Sequence, residues 1–222
     1  PKYRDKISTQ ASFGNILHDL SRGNSALASR IITTSPDVSV STNLGPWVNQ
    51  RGVFSLDVRN DVFRDEKVAS AQKWLRHGGG QHMELGIAES NLFTMLAALG
   101  LSGPIFGTRL LPVGTLYDPF IARGLDALNY ACYQDARFML VATPAGITLA
   151  PEGGAHQSVS TPLIGMGQPG LISFEPAYAD ELATIMKWGF EYMQADDGGS
   201  VYLRLSTRMI NQPDRVMTTE LE

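Results

Sequence analysis

Short β-branched or aliphatic runs at 31–34, 109–113, 137–143, 171–174 and 201–205 alternate with segments of helical period, and this alternation constrains the chain more than any other feature. A strand that leads through a helix into another strand returns to the same sheet in the parallel sense, by a right-handed crossover. The expected fold is therefore α/β, a mainly parallel sheet with helices on both faces, and 222 residues can bury the core of one such domain. The first helix is capped by Ser8 and Thr9, carries Phe13, Ile16, Leu17 and Leu20 on one stripe, and ends near Gly23. Further helices are expected over 88–99, 121–132 and 178–193, and a short amphipathic one over 66–77, whose Arg76 and His77 suit the negative end of its dipole. Residues 39–64, rich in Asn, Ser, Gly and Asp with isolated Trp47, Phe54 and Phe63, keep no period and read as a long functional or interface loop.

The net charge of −4 argues against a general polyanion binder, so nucleic acid is not an expected partner. Cys132, the sole cysteine, excludes an internal disulfide and fits a reducing, cytoplasmic setting. No apolar run reaches bilayer-spanning length, so no membrane association is expected. The chain opens at Pro1 without an initiator Met and closes on Thr218, Thr219, Glu220, Leu221 and Glu222, which reads as a domain cut from a longer polypeptide.

Candidate site residues cluster where strands should run out into helices. After the break at Gly78, Gly79 and Gly80, residues 81–93 read as a short strand, a turn at Gly86 and the start of a helix, which puts Glu89 in a first helical turn beside unpaired amide donors. On the sheet rim where α/β proteins bind ligands it could be a site carboxylate, or a solvated glutamate that suits the dipole. Asp37, just past Ser35 and Pro36, reads either as a rim residue or as a turn aspartate. Tyr117 and Phe120 stand at the next strand-to-helix corner, as core or as a platform for a planar heterocycle. His156 lies in the glycine-studded loop 151–158 after the clearest buried strand, a better place for a working histidine than a helix face. His18, His77 and His82 read as structural.

Three of these stretches together, Glu84-Leu85-Gly86-Ile87-Ala88-Glu89, Tyr117-Asp118-Pro119-Phe120 and Glu152-Gly153-Gly154-Ala155-His156-Gln157, resemble the pyrimidine-binding domain of transketolase-like thiamine diphosphate enzymes. Residues 123–137 and 173–186 narrow the resemblance to homodimeric 2-oxo acid dehydrogenase E1 components of the pyruvate dehydrogenase type. The resemblance implies that Glu89 hydrogen-bonds the ring nitrogen of the cofactor's aminopyrimidine and drives proton transfer there. It implies that Phe120 stacks on that ring with Tyr117 beside it, that Ile87 holds the cofactor bent, that His156 contacts substrate, and that Asp37 is an acidic neighbour of the cofactor. It implies a parent enzyme that oxidatively decarboxylates a pyruvate-like 2-oxo acid and passes the acyl unit to a lipoyl group on a partner acyltransferase (E2), within a homodimer. The Gly-Asp-Gly and asparagine pattern that holds Mg²⁺ and the diphosphate is missing here, so no metal ligand is expected in this chain, which should supply only the aminopyrimidine half of the site and be inactive alone. The His156-Gln157 pair and Ser206-Thr207-Arg208 are transketolase-like, which keeps ketol transfer between sugar phosphates as the alternative; Arg208 could equally be a strand-end surface charge. A noncatalytic nucleotide-binding or regulatory α/β module is the reading from another class.

Overall fold

The computed structural model describes residues 5–57, 62–70, 72–148 and 150–215; the terminal residues Pro1 and 218–222 lie outside them. In chain order the strands are β1 (Lys6–Ile7), β2 (Ile31–Ser35), β3 (Val53–Phe54), β4 (Arg76–His77), β5 (His82–Glu84), β6 (Leu111–Leu116), β7 (Met139–Ala142), β8 (Leu171–Phe174), β9 (Ser200–Arg204) and β10 (Ile210–Asn211). The helices are α1 (Thr9–Ser21), α2 (Gly45–Arg51), α3 (Val62–Asp65), α4 (Glu89–Gly100), α5 (Ser102–Phe106), α6 (Leu125–Tyr133), α7 (Thr161–Gly167) and α8 (Ala179–Tyr192). Among the described residues eight strands form a sheet in the order β4-β3-β5-β2-β6-β7-β9-β8, and β1 pairs separately with β10, antiparallel. Every pairing in the large sheet is parallel, as the alternation of elements required.

Both faces of the sheet are covered, and the two-residue period of the strands assigns each side chain to one of them. Met139 and Val141 of β7, with Val201 and Leu203 of β9, join Phe13 and Leu17 of α1, Trp47 of α2 and Leu182 and Met186 of α8. Phe138, Leu140 and Ala142 point the other way, with Tyr202, into Leu92, Phe93 and Leu96 of α4 and Leu128 of α6. The α4 helix seats very close to its neighbours because two positions lack a side chain. A Cβ on Gly114 of β6 would lie 2.7 Å from Leu96 Cδ1, and one on Gly124 would lie 2.2 Å from Phe93 Cδ2. That close seat places the first turn of α4 against the segment that follows β6.

The strand order also reverses where the site must be. β5 and β6 flank β2 on opposite sides, and the helices that follow them, α4 and α6, share one face of the sheet, whereas α2, which follows β2, lies on the other.

Several expectations are corrected. Residues 39–64 are no single loop: α2 and β3 lie within them, and Trp47 is fully buried, although 58–61 are outside the described residues. Leu44, Trp47 and Val48 make an apolar triple at helical spacing that Asn43, Gly45, Pro46 and Asn49 conceal in composition. The helix over 66–77 does not form, and residue 71 of that stretch is not described. α3 ends before it, at Asp65; Lys67 in the turn that follows has φ 56°, and the chain then runs on to pair with β3, where Val53 N–H donates to Leu75 O at 2.8 Å. A strand partner satisfies that backbone, whereas an exposed short helix has no surface to pack on. His77 therefore lies on a strand, and Phe63 is exposed. β6 runs on through Gly114, Thr115 and Leu116, and a 3-10 segment, Asp118–Gly124, precedes the helix expected from 121, which starts as α6 at Leu125. The pair β1–β10 and helices α5 and α7 had no clear periodic signal.

Candidate active site

Glu89 is the first residue of α4, one short turn beyond β5, and Gly86 in that turn has φ 68°. Its side chain is 11% exposed, and Oε1 accepts a 2.7 Å hydrogen bond from Arg123 Nη1. Phe120 enters from the 3-10 segment after β6, where its N–H donates to Tyr117 O at 2.9 Å. The guanidinium of Arg123 lies over the Phe120 ring, with Cζ 3.8 Å from the ring centroid. His156 comes from the third loop, in the 3-10 turn Gly154–His156. Its ring sits edge-on to Phe120 at 5.4 Å and to Tyr117 at 5.7 Å. The His156 Nδ1 is buried and has no hydrogen-bond partner. Four of the anticipated residues, Glu89, Tyr117, Phe120 and His156, thus gather at the carboxyl ends of β5, β6 and β7.

Asp118 holds that gathering in place. Its fully buried carboxylate accepts from Tyr202 OH at 2.6 Å, Thr161 Oγ1 at 2.6 Å, Arg204 Nη2 at 3.1 Å and the Ser158 hydroxyl. Burial raises the Tyr202 phenol far above its ordinary range, and the Asp118 charge adds to the rise. Burial works against the Arg204 cation, but Asp118 and Glu175 outweigh it and hold the guanidinium charged. Ser158 also exchanges bonds with Gly146: Gly146 N–H donates to Ser158 Oγ and Ser158 N–H to Gly146 O, both at 3.0 Å. The loop that carries His156 is closed at its ends and latched to the residue two places before Phe120.

A second polar group lies on the same rim. His82 is fully buried between Thr33 Oγ1 at 2.9 Å and Ser39 Oγ at 3.0 Å, the structural place expected of it. Ser39 Oγ donates to Glu84 Oε2 at 2.7 Å, and the Asp37 N–H donates to Glu84 Oε1 at 2.9 Å. Partial burial opposes ionisation of Glu84, but the bonds from His82, Ser39 and Asp37 prevail and hold its carboxyl below the usual range. Asp37, with φ 63°, and Ile87, 79% exposed, stand on the rim as well. Among the described residues no hydrogen bond or ring contact joins either to Glu89, Phe120 or His156.

Arg123, Asp118 and Glu84 lie in stretches that carry the resemblance, but the sequence reading gave them no role in the site. Arg123 lies three residues beyond Phe120, a spacing that puts both on one helical face, so that signal was available. Asp118 beside Pro119 looks like an ordinary turn, and nothing local marks its partners 40 to 86 residues away.

The parallel sheet, whose rim brings together a buried carboxylate, a pair of aromatic rings and a histidine, has the fold of the pyrimidine-binding domains of the transketolase-like class. Solved structures agree with that class in fold: transketolase from Leishmania mexicana has a TM-score of 0.74 at 19% identity, over 96% of this chain and 27% of that one. Transketolase from Campylobacter jejuni has 0.71 at 18%, over 97% and 28%. Within the class, the chain belongs to the family described as the pyruvate dehydrogenase E1 component middle domain, whose model matches residues 2–212. Curated relatives include the pyruvate dehydrogenase E1 components of Mycolicibacterium smegmatis, 26% identical over 209 residues, and Escherichia coli, 26% over 207. These matches take in 93% and 91% of this chain but only 22% and 23% of the relatives' length.

Proposed function

We propose that this chain is the aminopyrimidine half of a thiamine diphosphate site in an enzyme that oxidatively decarboxylates a pyruvate-like 2-oxo acid and passes the acyl unit to a lipoyl carrier. The convergence of Glu89, Phe120 and His156 from three separate loops carries this reading. The residues fit the cofactor: a mostly buried carboxylate beside an aromatic face suits a flat, weakly basic heterocycle, and the unpartnered His156 Nδ1 is a polar atom without a use in the protein alone. Bound there, thiamine diphosphate supplies the electron sink for decarboxylation. Glu89 holds a proton against the ring nitrogen and passes it back and forth, the role that needs a carboxyl in a dry setting. Phe120, with Tyr117 at its side, fixes the plane of the heterocycle, and His156, edge-on to both rings, orients substrate oxygen. Ile87 packs against the cofactor from the turn before α4, and Asp37 sets an acidic boundary at the end of β2. The reading includes a second domain for the diphosphate and Mg²⁺, a homodimer of the parent enzyme, an E2 acyltransferase partner and a cytoplasmic location.

A specific feature favours a second reading. Thr207 Oγ1 donates to Thr148 O at 3.0 Å, which ties the segment bearing exposed Arg208 to the loop that bears His156. A sugar phosphate bound over that loop would find a cation there, as ketol transfer requires.

The test uses the polypeptide that joins this domain to its diphosphate-binding domain, supplied with thiamine diphosphate and Mg²⁺. It is assayed with 2-oxo acids and an artificial electron acceptor, and separately with ketose and aldose phosphates. Acceptor reduction with pyruvate or a near homologue is expected, and Glu89→Gln should lower it by roughly 100-fold or more, the size of a positioned acid–base contribution. Ketol transfer without 2-oxo acid turnover overturns the first reading in favour of the second, and near-normal turnover by Glu89→Gln removes its assigned role.

A further inference from the structure

The two features that would receive the aminopyrimidine, the Glu89 carboxylate and the Phe120 face, are both engaged by one side chain of this protein. Arg123 Nη1 donates to Glu89 Oε1 at 2.7 Å while the same guanidinium lies over Phe120, 3.8 Å from its centroid. A guanidinium is flat, cationic and edged with parallel N–H donors. A protonated aminopyrimidine shares the features used here: a flat ring, positive charge and an in-plane ring N–H donor. We propose that Arg123 is a resident stand-in for the cofactor's heterocycle, which satisfies Glu89 and covers Phe120 until the cofactor displaces it.

The inference rests on the thiamine diphosphate reading and adds a competitor built into the chain. The Arg123 side chain is 53% exposed, so it can swing outward without leaving a cavity, whereas Glu89 is 11% exposed and needs a partner in either state. A site that must first be vacated binds with its intrinsic affinity divided by the factor favouring the closed form. A partly exposed ion pair together with a cation–π contact makes that factor about tenfold. Arg123 is thus a residue that sets cofactor affinity; it takes no part in the chemistry.

Calorimetric titration of thiamine diphosphate with Mg²⁺ into the two-domain polypeptide tests this without reading activity. Arg123→Met is expected to bind about tenfold more tightly than the parent protein, and Arg123→Lys, which keeps charge without the flat stacking group, to fall between them. Arg123→Gln repeats the comparison should the methionine variant lose its fold, as judged by its urea midpoint. Unchanged or weaker binding by the uncharged variants overturns the inference alone, and identifies Arg123 as a brace that stays with Glu89 in the complex. No binding by the parent protein or any variant overturns the cofactor reading, and this inference with it.

Discussion

Replacing Asp118 should damage this domain more than any other single polar substitution on the rim. Its side chain is fully buried and that of Arg204 is 6% exposed, so no solvent can take over when one partner is removed. Asp118→Ala leaves Arg204 with only Glu175, itself 60% exposed, and strips acceptors from Tyr202, Thr161 and Ser158. Breaking a buried pair of this kind costs about 3–5 kcal/mol, a large share of the ~5–15 kcal/mol that holds a domain together. Asp118→Asn preserves shape and an acceptor oxygen but loses the charge, for about 2–3 kcal/mol. Tyr202→Phe removes one bond to the carboxylate, for about 1.5 kcal/mol. Urea unfolding followed by tryptophan fluorescence should give that order, and with a slope of about 2 kcal/mol per molar the alanine midpoint falls by about 1.5–2.5 M. An alanine variant within about 1 kcal/mol of the parent protein, or one no worse than Tyr202→Phe, would refute the idea that this buried charge organises the rim.

Other consequences can be checked in the same apparatus. The folded state holds Glu84 and Asp180 below their ordinary range, so the stability they contribute is present above the free carboxyl value and is lost as pH falls through and beneath it; Glu84→Gln should flatten that acid limb. Burial pushes the Cys132 thiol from 9.0 up to about 11, so its contribution is present below pH 9.0 and disappears as pH rises toward 11, and alkylation at neutral pH should be slow compared with a free thiol; Cys132→Ala should remove that alkaline loss. Gly124→Ala should cost about 1–3 kcal/mol by forcing Phe93 aside, and should weaken cofactor binding as well, because the added methyl also meets Glu89 O at 3.2 Å; a neutral effect on both would contradict the close seating of α4.

What the sequence made legible followed from period and position. The runs that became β2, β6, β7 and β9 are buried along nearly their whole length, β8 at the sheet edge only in part, and all announce themselves by β-branched or aliphatic character; a parallel sheet then dictates that the residues after them share one rim. Glu89, Tyr117, Phe120 and His156 could be placed together on that logic. α2 was hidden because three apolar residues at helical spacing sat among loop formers, and the stretch 66–77 misled because an amphipathic period says nothing about whether a surface exists to receive it. Asp118 was overlooked for a different reason. Its significance lies in partners brought near by the fold, and no local pattern encodes a carboxylate that waits for a tyrosine and an arginine from a strand 84 to 86 residues later.

The paired bonds between Gly146 and Ser158 close the base of the histidine loop. Because the base is anchored on Asp118, the entropy of whatever chain runs between the two ends grows only slowly with its length. Insertions or exchanges within 147–155 can therefore alter what the loop presents to a substrate while the aromatic corner beneath it keeps its shape. The domain separates the part that must stay constant, where the heterocycle would rest on the proposed reading, from a part that natural variation or an engineer can rewrite.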